Sequence, residues 1–225
     1  MARRNIDLPV LLLLFFFAGF VVEKSYAKSL EVGFIGNSAF YITDGEYVIF
    51  KDFPYKSGAY GYMEYDFDFS AVTGNILSLI SHRHVDHFDP LLFTAQNWKI
   101  IAPREVTVQL EQNKIIKFED KITYGPITVR PKKSRHANTA HYSYLVTWGG
   151  RKLYFTGDTE ALDTLKDLPE LDALFITPWF YRKARINDML PESKKTIIYH
   201  HRANDIIPDC IGCIIPKQNQ MISLQ

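Results

Sequence analysis

The sequence predicts a layered α/β protein, one domain, with its working residues on strand-end loops. Three observations carry this. Short β-rich runs occupy both halves of the chain, with helical stretches between them. All seven histidines fall in three short segments, each beside a strand run. The composition, 47% hydrophobic and 23% charged over 225 residues, suits a folded chain of one domain or at most two small ones.

The first residues stand apart. Arg3 and Arg4 give a positive start, Leu8 to Val22 is almost wholly apolar, and Ser25-Tyr26-Ala27 places small residues where a cleavage site needs them. The apolar run, about 15 residues, is short beside the roughly 20 of a membrane span. Residues 1–27 are therefore expected to be a secretory signal peptide, and the chain an exported one, periplasmic or secreted. Contact with a membrane is expected only through this segment, if it stays uncleaved. Residues 28–225 form the folded domain.

Leu30 to Phe34 and Ala39 to Thr43 read as strands, and Asp44-Gly45 turns the chain into the returning strand Glu46 to Phe50. Asp52-Phe53-Pro54 ends that hairpin. Tyr55 to Phe69 lacks a clean period and reads as a loop. Its aromatics Tyr60, Tyr62, Tyr65, Phe67 and Phe69 either line a pocket mouth or cover a core. Ile76 to Ile80 is a short apolar strand. Trp98 to Ala102 is another, closed by Pro103, and Glu105 to Gln112 reads as a short helix. Lys121 to Arg130 holds a strand pair around Gly125-Pro126. Tyr142 to Trp148, Gly149-Gly150 and Lys152 to Thr156 make a second hairpin. Thr159 to Leu168 reads as a helix, Ala173 to Thr177 as a strand and Thr196 to Tyr199 as the last strand. Trp179, Phe180 and Tyr181, followed by Arg182, Lys183 and Arg185, read as a segment that contacts substrate or as a solvated loop. Cys210 and Cys213 fit a small structural disulfide or two unpaired thiols; two cysteines cannot supply a four-cysteine zinc site.

The formal net charge of +1 offers no field for nucleic acid, and none is expected as a partner. The chemistry lies in the histidines. His82 and His84 follow an extended run, where residues i and i+2 point to one side and can clamp one divalent ion. Asp86 and His87 come where the chain must turn and can aim at a second point nearby. Imidazoles with carboxylates suit zinc, iron or manganese.

His82-Arg83-His84-Val85-Asp86-His87 matches the H-x-H-x-D-H signature, and the chain on this ground resembles the metallo-β-lactamase superfamily. The resemblance continues through Asn37-Ser38-Ala39-Phe40 to Asp52-Phe53-Pro54, through His136, through Phe155-Thr156-Gly157-Asp158-Thr159, and through Ile197-Ile198-Tyr199-His200. Its look is nearest to the branch of ascorbate-phosphate lactonases and N-acyl-phosphatidylethanolamine phospholipases. It implies a four-layer αβ/βα sandwich, two mixed β-sheets flanked by helices, and a metal-dependent hydrolase. It also implies two divalent ions, zinc first, with iron or manganese as alternatives. His82, His84 and His136 would hold one ion and Asp86, His87 and His200 the other, with Asp158 between. On the same resemblance Asp86 would be the residue with a direct catalytic part, and Asp52 a support for the metal loops. His141 competes with His136, which has the better spacing to the next strand. His201 competes with His200, which directly follows the last strand. The substrate expected is a small or lipid-like molecule. Oxygen or sulfur chemistry at a single iron, or a metal-holding module without catalysis, are the competing readings.

Overall fold

The computed structural model describes residues 29–207 and 210–224. The segment read above as a signal peptide lies outside the described residues. Among the described residues, twelve strands make two six-stranded mixed sheets. The first contains β1 (Leu30–Gly36), β2 (Ala39–Thr43), β3 (Tyr47–Lys51), β4 (Asn75–Leu79), β5 (Lys99–Ile101) and β12 (Met221–Leu224), in the order β12-β1-β2-β3-β4-β5. The second contains β6 (Ile122–Tyr124), β7 (Ile127–His136), β8 (Thr139–Trp148), β9 (Arg151–Phe155), β10 (Ala173–Ile176) and β11 (Thr196–Ile198), in the order β11-β10-β9-β8-β7-β6. Within each sheet, three strands at one side are parallel and the rest antiparallel: β3-β4-β5 in the first and β9-β10-β11 in the second. The α-helices among the described residues are short: α1 (Pro90–Thr94), α2 (Arg104–Thr107) and α3 (Pro178–Ile186). None is long and apolar enough to cross a membrane.

The apolar runs are continuous because both faces of these strands are covered. Ile49 points into the core between the sheets, while its neighbours Val48 and Phe50 join a second cluster with Phe53, Phe93 and Trp98. Phe175 likewise faces the central core, and Leu174 and Ile176 pack with Phe180 and Tyr181 of α3. Phe40 ties the sheets together, with its ring 4.9 Å from Phe175 and 5.5 Å from Tyr199. Rings buried this fully contribute about 1.5–3 kcal/mol each.

Several elements differ from the sequence reading. Glu105 to Gln112 is helical only over α2, and Thr159 to Leu168 holds just a 3-10 turn, Leu162–Leu165. The side chains explain both. The Glu105 carboxylate is turned to the tip of the β7–β8 hairpin, and the Thr159 hydroxyl donates to the Arg135 carbonyl at 2.8 Å rather than capping a helix. The Trp179 segment is a helix, not a loop: Pro178 starts it, and Phe180, Tyr181 and Ala184 bury one face. The strand after Gly125-Pro126 runs on to His136. β12 closes the edge beside β1, with Val32 opposite Ile222. Cys210 and Cys213 form a disulfide. It lies next to Ile214, whose backbone pairs with β11.

This topology gathers the chain's chemistry at one edge. Asp52 follows β3, the histidine cluster follows β4, Asp158 follows β9 and His200 follows β11. These are carboxyl ends of parallel strands, where polar loops collect in such sheets. β7 runs in the direction of β9, so His136 reaches the same edge.

Candidate metal centre

The turn carrying Asp86 and His87 closes through hydrogen bonds from His87 N and Phe88 N to the His84 carbonyl, at 2.9 and 3.0 Å. Asn37 Nδ2 and Ser38 Oγ, from the β1–β2 connection, hold it by donating to the Asp86 carbonyl at 2.9 and 3.1 Å. Asp158 is aimed by a special backbone. Gly157 stands at φ +63°, and a Cβ there would collide with His141 Nε2. His200 is itself left-handed, at φ 61°, with its N–H bonded to the Asn37 carbonyl at 2.8 Å. Asn37 thus positions both the Asp86 turn and His200.

Every one of the seven side chains singled out in the sequence arrives at one place. His82, His84 and His136 form one group; Asp86, His87 and His200 form a second; His82, His87 and Asp158 form a third that overlaps both, with the donor atoms in each within 4.8 Å of one another. His84 Nδ1 lies 3.3 Å from His136 Nε2. His87 Nε2 lies 3.1 Å from His200 Nε2, and Asp86 Oδ2 lies 3.4 Å from His200 Nε2. Asp158 Oδ2 is 3.1 Å from both His87 Nε2 and His200 Nε2, and 3.9 Å from His136 Nε2. Asp158 therefore stands between the two groups.

The surroundings fix which nitrogens face inward. His87 Nδ1 donates to Asp52 Oδ2 at 2.9 Å, so Nε2 is the nitrogen left to face the centre. Ser81 Oγ donates to Asp52 Oδ2 at 2.8 Å and lies 2.9 Å from His82 Nδ1, which leaves His82 Nε2 as the inward lone pair. That Nε2 and Asp158 Oδ1 are buried with no hydrogen-bond partner. Burial pushes the His82 imidazole well below its ordinary pKa. Burial also opposes charge on Asp158, yet His200 and His87 outweigh it and hold the carboxyl well below its ordinary range. On His87 the order reverses: burial works against the cation, but Asp158, Asp86 and Asp52 together raise it well above the usual imidazole value. Inward lone pairs, orphaned buried atoms and carboxylates that favour positive charge among them fit a pair of divalent ions.

The geometry separates the competing histidines. His141 is fully buried with both nitrogens engaged: Nδ1 lies 2.6 Å from Ser134 Oγ, and Nε2 accepts from Asp158 N at 3.0 Å. It props the Asp158 loop, and burial above all holds its pKa near 3. His201 faces away, stacked on Phe34 at 5.8 Å.

Beneath the centre, Asp52 is fully buried and accepts from Ser81 N at 2.7 Å, from Ser81 Oγ and from His87, and it pairs with the buried Lys51. Burial raises its pKa, but Lys51 and His87 bring it down to about 2. The sequence reading gave Asp52 this supporting role and passed over Lys51. A charged pair ending the apolar run of β3 was the available signal. Also missed was the clamp at Glu105, which accepts from Thr139 Oγ1 at 2.7 Å and Ala140 N at 3.2 Å and meets Arg83 Nε at 2.9 Å. It ties the His82–His84 segment to the hairpin that carries His136. Of the loop aromatics, Tyr65, Phe67 and Phe69 cover the second core cluster, while Tyr62 packs edge-on against His200 at 4.3 Å. Trp179 meets the same imidazole at 5.2 Å.

Residues 77–203 match the model of the β-lactamase superfamily domain. No curated protein matches the chain. Among solved structures, a protein from Parabacteroides distasonis assigned provisionally as a metal-dependent hydrolase is 20% identical, with a TM-score of 0.63 over 84% of this chain and 93% of that one. Igni18, a metallo hydrolase of the archaeon Ignicoccus hospitalis, is 14% identical, with a TM-score of 0.61 over 87% and 98%. CmlA, a diiron β-hydroxylase of Streptomyces venezuelae, is 14% identical, with a TM-score of 0.56 over 84% of this chain and 48% of that one. At these identities the likeness is one of fold, and it spans nearly all the described residues. The family model covers more than half of the chain, including the segments that bring His82, Asp158 and His200 together, and the chain belongs to the β-lactamase superfamily.

Proposed function

We propose that the chain is an exported hydrolase that uses two divalent ions, zinc first, against an ester, lactone or phosphodiester of a small or lipid-like molecule. The observation that carries this is the convergence of seven ligating side chains into overlapping groups that share Asp158. His82, His84 and His136 would hold one ion and Asp86, His87 and His200 the other, with Asp158 shared between the two groups. Divalent ions there would supply an acidified water and a Lewis acid for the developing oxyanion. The protein's own residues do the rest. Asp86, beside His200 and nearly buried, is placed to accept a hydrogen bond from the attacking water and orient it. Asp52, through Ser81 and His87, keeps the imidazole lone pairs inward. Tyr62 and Trp179 both pack edge-to-face with the His200 ring and help to keep it in place. Export is supported by the N-terminal layout of Arg3-Arg4, Leu8 to Val22 and Ala27, and by the Cys210–Cys213 disulfide.

The test is turnover of p-nitrophenyl acetate, δ-valerolactone and bis(p-nitrophenyl) phosphate by the zinc-loaded protein. At least one should be hydrolysed, the rate lost on chelation and restored by zinc. Hydrolysis indifferent to chelation, or none of any substrate by fully loaded protein, would overturn the reading.

A further inference from the structure

Lys51 ends β3 in surroundings that suit no lysine. It is 1% exposed, and its partners in register on the neighbouring strands, Phe40 and Leu79, belong to the core between the sheets. Among the described residues its ammonium hydrogen-bonds Asp52 Oδ2, and the Tyr144 ring lies 6.0 Å away. Burial works against the charge and Asp52 supports it. Stability is a poor reason to keep such a pair, because well-packed apolar residues in its place are often neutral or better. The reason lies in what else Asp52 touches. The oxygen that meets Lys51 also accepts from His87 Nδ1 at 2.9 Å and from Ser81 Oγ at 2.8 Å. A carboxylate behind a metal-binding imidazole makes it a stronger donor. A cation on that carboxylate takes part of this back, and adds its own repulsion to any ion in front of the ring.

We propose that Lys51 is a positioning residue of the metal centre: acting through Asp52, its charge limits how tightly the Asp86, His87 and His200 group holds an ion. This rests on the seven side chains being a metal centre, and not on the reaction carried out there. The sign of the effect separates it from a structural role. If Lys51 only braced Asp52, its loss would slacken His87 and weaken metal binding. If its charge is what acts, its loss tightens metal binding. A proton on His87 Nε2 in the metal-free protein does not reverse this, because a divalent ion gains twice what the displaced proton gains.

The test is zinc affinity at one fixed neutral pH, read by competition with a chromophoric chelator. It is run in the protein and in the His84→Ala background, where the ion left is that of the Asp86, His87 and His200 group. Lys51→Met and Lys51→Gln should each lower the Kd of that ion about 10-fold, the small end of what partners one shell out from a metal contribute. A second readout does not depend on the variants folding. In the unsubstituted, 15N-labelled protein the Lys51 Nζ resonance should be that of an ammonium. In either variant the His87 Nδ1 proton should move downfield, as Asp52 accepts it more strongly. A neutral amine at Lys51, or a Kd unchanged or raised in folded variants, would overturn the role of Lys51 alone. An unsubstituted protein that holds no ion would overturn the metal centre, and this proposal with it.

Discussion

Asp158→Ala is expected to give a folded chain whose kcat/KM falls by more than about 100-fold, because loss of a partner one shell further out already costs 10–100-fold. Asp158 Oδ2 touches both His87 and His200 and approaches His136, so its removal disconnects the two ligand groups rather than weakening one. The control is Glu160→Ala two residues on, an exposed carboxylate paired with Lys183, which should stay within about twofold, since such surface pairs contribute little. Steady-state kinetics on whichever ester, lactone or phosphodiester the protein turns over, with circular dichroism to confirm folding, decides it. Comparable rates in the two variants would contradict the bridging role.

Asp52→Ala should be the most destabilising single change near the centre. Lys51 and His87 are both buried and both lean on this carboxylate. Removing one partner of a buried ion pair leaves the other charge uncompensated, at a cost of about 3–5 kcal/mol. Ser81 loses its acceptor at the same time, and with it the relay that orients His82. Chemical denaturation reads the cost directly. Lys51→Met should cost less, because Asp52 keeps its bonds to Ser81 and His87. A loss under about 1 kcal/mol for Asp52→Ala would place it within the range of an ordinary hydrogen bond and contradict the account of a buried keystone.

What could be read from the sequence follows from distance along the chain. His82 to His87 is a contiguous motif, and its geometry, two imidazoles in extended chain and then a turn, is local. The strands β3, β4, β9 and β10 were legible because burial on both faces gives each consecutive apolar residues, Val48-Ile49-Phe50, Ile76-Leu77, Leu153-Tyr154-Phe155 and Ala173 to Ile176. The helix α3 was not, because a Trp-Phe-Tyr start has modest helix propensity, and what stabilises it is Phe180, Tyr181 and Ala184 packing on β10. β12 escaped for a similar reason: four residues gain strand character only by pairing with β1. The competing histidines could not be told apart by composition. His141 leaves the ligand set because Ser134 and Asp158 N occupy its nitrogens, and His201 because its ring stacks on Phe34; these contacts reach across 7 to 167 residues of chain. Tyr62 belongs with them, since nothing near it in sequence foretells a contact with His200.

The seven converging side chains are expected to hold two ions, and the most direct measurement is metal per chain by elemental mass spectrometry, with and without His84→Ala. About two divalent ions per chain are expected, as in two-metal hydrolytic sites, with a loss centred on one of them when His84 is removed. No bound metal after reconstitution with zinc, iron and manganese in turn, or a content unchanged by His84→Ala, would contradict it.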